Sequence, residues 1–106
     1  MNPHRTDLPR PAATPTSLIH NDRTVTTEWR FAPGAETRWH RHTMDYVVVP
    51  MTTGALLIEL PDGTSMRSDL VVGRPYFRSG GAEHNVVNVN DHEFVFVEIE
   101  FQPPGR

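Results

Sequence analysis

The chain has no cysteine among its 106 residues, which excludes disulfides, thiolate nucleophiles and cysteine-ligated zinc sites. It has no lysine either. Its ten basic residues are all arginine, set against 13 acidic residues, for a formal net charge of -3. No basic stripe forms, so neither nucleic acid nor an acidic membrane surface is an expected partner. Long hydrophobic runs are missing. The stretch from Tyr46 to Met51 is far shorter than the roughly 20 apolar residues that cross a bilayer as a helix. The opening MNPHRTDLPRP lacks the apolar core of a secretory signal, so the cytoplasm is the expected compartment. A helical period is also lacking: no segment repeats its apolar residues every three to four positions.

What is present alternates. In TVTTEWRF, Val25, Thr27, Trp29 and Phe31 share one face, and Thr24, Thr26, Glu28 and Arg30 the other, which predicts a half-buried strand. TRWHRHT predicts a strand with Arg38, His40 and His42 on one face. YVVVP, ALLIEL, DLVVG, RPYF and NVVNV predict further short strands, and PDG marks a hairpin turn. The last, FVFVEIEF, sets Val95, Val97, Ile99 and Phe101 against Phe94, Phe96, Glu98 and Glu100. Many short strands between Gly, Pro, Asn and Asp predict an all-β sandwich or barrel in one domain. Residues 1–18, with four prolines and no apolar period, read as an extended or disordered arm, and residues 19–102 as the barrel domain.

Histidine carries the chemistry. His40 and His42 are two apart, so a strand points both the same way, and His84 follows the glycine-rich loop SGGAE at the start of another strand. Imidazole is the commonest protein ligand of first-row metals, and three on one side of an ion leave positions open to substrate. The rival reading is three ordinary histidines with no metal. His4, His20 and His92 fall in the tail or in turns and read as solvated.

The spacing adds a family resemblance. Gly34-x5-His40-x-His42-x4-Val47-x6-Gly54 resembles the first cupin motif, G-x5-H-x-H-x3,4-E-x6-G. Gly73-x5-Ser79-x-Gly81-x2-His84-x3-Asn88 resembles the second, G-x5-P-x-G-x2-H-x3-N. The wording HRHTMDYVVVPMTTG is also similar to small single-domain cupins of the cupin-2 type known as beta-alanine degradation proteins. Two positions depart from the motifs: Ser79 replaces a loop proline, and Val47 stands where the family has its glutamate ligand.

The resemblance implies a jelly-roll β-barrel of six to eight antiparallel strands, commonly a homodimer. It also implies one divalent metal per chain, held by His40, His42 and His84. Fe2+ is the favoured ion, with Zn2+, Ni2+ or Mn2+ as alternatives. With valine at 47, three neutral imidazoles leave the ion its full +2 charge, which favours a small anionic or dicarbonyl substrate. Some cupin dioxygenases use three histidines around ferrous iron, so a metal-dependent dioxygenase is the first functional expectation. A non-catalytic metal or small-ligand binding module, or sensor, is the second. A barrel whose metal only ties its sheets together is the third. Arg38, Tyr46, Val47 and Trp29 are the candidate pocket residues, Arg38 for a substrate carboxylate. Asp45 is a candidate displaced ligand. No general base is evident in the motifs.

Overall fold

The computed structural model describes residues 9–103. The part of the expected arm in residues 1–8, with His4, lies outside the described residues. Nine strands follow in chain order: β1 (Thr14–His20), β2 (Thr24–Phe31), β3 (His40–Arg41), β4 (Tyr46–Pro50), β5 (Gly54–Glu59), β6 (Ser65–Leu70), β7 (Tyr76–Arg78), β8 (Glu83–Asn88) and β9 (Phe94–Phe101). Among the described residues there is no helix, and so none long and apolar enough to cross a membrane.

The strands form two antiparallel sheets, ordered β1-β2-β9-β4-β7 and β3-β8-β5-β6. The all-β expectation holds, with nine strands against the expected six to eight; β3 has only two residues and β7 three. β2, β4 and β9 match TVTTEWRF, YVVVP and FVFVEIEF to the residue. The expected boundary between arm and barrel at 18/19 falls inside β1, which pairs along β2.

The core lies between the sheets. Phe31 and Phe94 are fully buried, and their rings join Tyr46, Val48, Leu56, Val86 and Phe96 in one cluster. Alternation along β9 accounts for its inward face: Phe94, Phe96 and Glu98 are all buried. Asn88, at 0% exposure, donates to the carbonyls of Phe31, Ala32 and His92 and so ties β8 to the ends of two other segments.

Candidate metal centre

The three motif histidines arrive from two neighbouring strands and a loop. His40 on β3 stands directly opposite His84 on β8, so both imidazoles leave the same face of one ladder. His42 lies just past β3. Its backbone N–H donates to the Ala82 carbonyl at 2.8 Å, and its carbonyl accepts from the Gly81 N–H at 2.6 Å. The glycine-rich loop before His84 thereby grips the backbone of His42. Gly81 allows this with φ +106°, and a side chain at Gly80 would press on the Met44 backbone at about 3.0 Å.

The Nε2 atoms converge. His40 Nε2 lies 3.1 Å from His42 Nε2, which lies 3.2 Å from His84 Nε2. Ligands about 2.1 Å from a shared ion stand about 3.0 Å apart at right angles and about 3.4 Å apart in a tetrahedron, so these spacings suit one ion. Outer contacts favour the same orientation. The Nδ1–H of His40 donates to the Arg38 carbonyl at 2.8 Å, which leaves its Nε2 lone pair facing inward. Burial, helped by the charge of the neighbouring imidazoles, pushes His42 down to about 4. His84 is also pushed down to about 4, by burial first, then by His40 and Arg78. Both are therefore neutral donors near pH 7. The donor set fits a first-row divalent metal.

The nitrogens face a cavity of about 200 Å³ between the sheets. Leu56, Ile58, Val48 and Phe96 supply its apolar wall; Trp29, Tyr46, Tyr76, Arg78 and Glu98 supply its polar groups. The Tyr46 ring stacks on His42 with centroids 4.0 Å apart, and burial raises its hydroxyl to about 12, so it remains a donor. Trp29 lies parallel to His40 at 6.5 Å. Arg78 sits over the Tyr76 ring at 4.7 Å. No carboxylate within 4.0 Å pairs with it among the described residues.

Trp29 and Tyr46 thus line the cavity, whereas Arg38 and Val47 do not. Arg38 has φ +80°, which breaks the strand alternation before His40 and turns its guanidinium onto Glu36 outside the cavity. Val47 alternates with Tyr46 and Val48, whose side chains face in, so it occupies the other face of β4 between Ile99 and Phe77. Asp45 is exposed and accepts from the Gly80 N–H at 2.8 Å, a loop contact remote from metal binding. His20 and His92 are exposed and belong to no group of potential ligands among the described residues.

Two groups absent from the sequence expectations enter here. One is Arg78, on β7 opposite Tyr46. The other is Glu98, 7% exposed, with its carboxylate on the cavity wall. Burial and the charge of Glu100 raise Glu98 to about 7, and the Trp29 indole offsets only part of that. The signal for Glu98 was its place on the aromatic face of FVFVEIEF, two positions from Phe96.

Among known proteins, the chain is 56% identical over 93 residues to the beta-alanine degradation protein BauB of Pseudomonas aeruginosa, a match over 88% of this chain and 97% of that one. The crystal structure of a cupin domain from Bordetella pertussis superposes with a TM-score of 0.88 at 60% identity, over 91% of this chain and 99% of that one. A double-stranded β-helix protein from Klebsiella pneumoniae shares the fold alone, with a TM-score of 0.70 at 18% identity over 98% of this chain and 84% of that one. No family model matches. At this identity and coverage the motif resemblance becomes membership: the chain belongs to the cupin superfamily.

Proposed function

We propose that the protein is a metal-dependent enzyme of the three-histidine dioxygenase type, working as a homodimer on a small anionic or dicarbonyl substrate. The observation that carries this is the convergence of three imidazole Nε2 atoms, 3.1 and 3.2 Å apart, at the wall of a largely apolar cavity between the sheets. A bound Fe2+ would supply Lewis acidity toward a chelating substrate and electrons for oxygen chemistry. Zn2+, Ni2+ and Mn2+ suit the same donors.

The chain's own residues support this substrate class. At about 200 Å³ the cavity is smaller than the roughly 300–1,000 Å³ of drug-sized sites, which favours a small molecule. Arg78, on the cavity wall and without a carboxylate partner among the described residues, takes the role expected of Arg38: it meets the anionic end of the substrate. Tyr46, held protonated, donates a hydrogen bond beside His42. Leu56, Ile58 and Phe96 exclude water around them. The Pseudomonas relative is named for beta-alanine degradation, and a role in breaking down a small carboxylate agrees with this pocket.

Elemental analysis and oxygen uptake test the proposal. Purified protein is expected to carry one divalent ion per chain and, loaded with Fe2+, to consume oxygen with some member of a panel of small acids and diketones. His84→Ala should lose tight metal binding, and the exposed His92→Ala should keep it. Metal retained at full stoichiometry by His84→Ala would end the three-histidine reading. Bound metal with no oxygen uptake on any substrate would leave the non-catalytic binding module in its place.

A further inference from the structure

We infer that Glu98 is the carboxylate ligand of this metal centre, delivered from β9 instead of from the family's position on β4. The inference rests on the three histidines holding a metal and revises the ligand set of the proposed function from three histidines alone to three histidines and one carboxylate, with Arg78 still the group that meets an anionic substrate. Val47 cannot ligate, and the structure turns it away from the cavity. On the adjacent strand Glu98 stands opposite Val48, whose side chain does face the cavity. The carboxylate therefore enters one strand over from its usual place, at nearly the same depth along the barrel.

Geometry and charge support this. Glu98 Oε2 lies 3.8 Å from His42 Nε2, the same nitrogen that faces His40 and His84. His42 thus belongs to two groups of potential ligands, one with His40 and His84 and one with Glu98 and Glu100. As it stands Glu98 shares no group with His40 or His84, so the assignment requires its side chain to rotate within the cavity toward the three nitrogens when the metal binds. A buried carboxylate is costly unless a cation compensates it. The Glu98 side chain is 10% exposed, and among the described residues no arginine nitrogen lies within 4.0 Å of it. The chain contains no lysine to serve instead. The groups around it are His42, Trp29, Tyr46, Tyr76 and Glu100, none of them a fixed cation. A divalent ion at the imidazoles is the compensation this carboxylate lacks. Glu100 differs: it is not on the cavity wall, and its Oε2 lies 3.7 Å from Nδ1 of His42, the nitrogen directed away from the metal. At that distance it makes no direct hydrogen bond, and it stands outside the ligand set.

Metal binding alone, without turnover, tests the assignment. Co2+ is titrated into metal-free wild-type, Glu98→Gln, Glu100→Gln and His84→Ala proteins, with affinity read by calorimetry and coordination by the visible spectrum. Glu98→Gln should bind Co2+ at least about 10- to 100-fold more weakly, the loss typical of even outer partners, and should change the cobalt bands. Its metal-free melting temperature should hold or rise, because a buried charge has gone. Glu100→Gln should keep the wild-type bands. Wild-type affinity and bands in Glu98→Gln would overturn the assignment while His84→Ala still lost the metal. Metal retained by His84→Ala would instead remove the three-histidine reading beneath it. Should Glu98→Gln fail to fold, the side-chain carboxyl 13C resonances of the wild type answer the same question. The Glu98 signal must shift most on addition of Zn2+, and a stationary signal rejects the ligand role.

Discussion

Position 47 shows how much depends on which way one side chain points. The cupin spacing allows three or four residues between His42 and the glutamate, and the longer option selects Val47. The pleat of β4 directs Tyr46 and Val48 into the cavity and Val47 away from it, against Ile99 and Phe77. Restoring a carboxylate by Val47→Glu should therefore leave metal affinity unchanged. It should also destabilise the fold by about 1–2 kcal/mol, since position 47 is half-buried and its cross-strand partners Ile99 and Phe77 are apolar. Urea unfolding with and without Zn2+ checks both parts; a gain in metal affinity would show that position 47 reaches the site after all. Arg38 carries a similar lesson. Alternation within a strand places it with His40, but a positive φ at Arg38 itself interrupts the alternation, and Arg78 stands on the cavity wall instead.

At the scale of elements, legibility followed burial. β2, β4 and β9 lie inside their sheet, and apolar alternation marks them to the residue. The sequence expectation placed a strand at DLVVG, whereas β6 is Ser65–Leu70 and Val71 and Val72 are exposed. β6 is an edge strand with most of its side chains in water, so its polar residues leave no apolar signal. Meanwhile Val71 and Val72 imitate a buried run. The three histidines were legible because each motif fixes a ligand relative to its own turn. Glu98 was not, because it lies in neither motif and only the pairing of β9 with β4 brings it beside His42. β1 bears on assembly. It is an edge strand, all seven of its residues are exposed, and Leu18 and Ile19 are 51% and 48% open. An exposed strand edge carrying two apolar side chains invites pairing with another chain, and a second copy would close it symmetrically. Light scattering at micromolar concentration should give a dimer mass, and Leu18→Arg with Ile19→Arg should shift it toward monomer. A monomeric wild-type protein would reject the assembly.

For the whole molecule, the metal-free fold should carry an acid response in which opposed groups partly cancel. His42 and His84, buried and close to another imidazole, bind protons at about 4, against 6.5 in the unfolded chain. Between these values the unfolded state holds more protons, so acidification through that window costs stability. Glu98 works the other way. Burial beside Glu100 raises it from 4.5 to about 7, so across that range the folded state holds the extra proton and acidification favours folding. Glu100, also raised by burial, adds to the Glu98 side. Two histidines set against Glu98, with Glu100 on its side, leave a shallow net loss as pH falls from 6.5 toward 4.5. Below 4.5 the opposition from Glu98 ends, and the loss steepens until the histidines are themselves charged at about 4. Removing Glu98 exposes the histidine response. In metal-free protein, Glu98→Gln should therefore lose stability more steeply than wild type between pH 6.5 and 4.5, even where it is the more stable of the two at neutral pH. Urea midpoints at half-unit pH steps read the two slopes. Parallel curves would mean that Glu98 does not titrate within the folded cavity, and that its carboxylate meets water instead of the barrel interior.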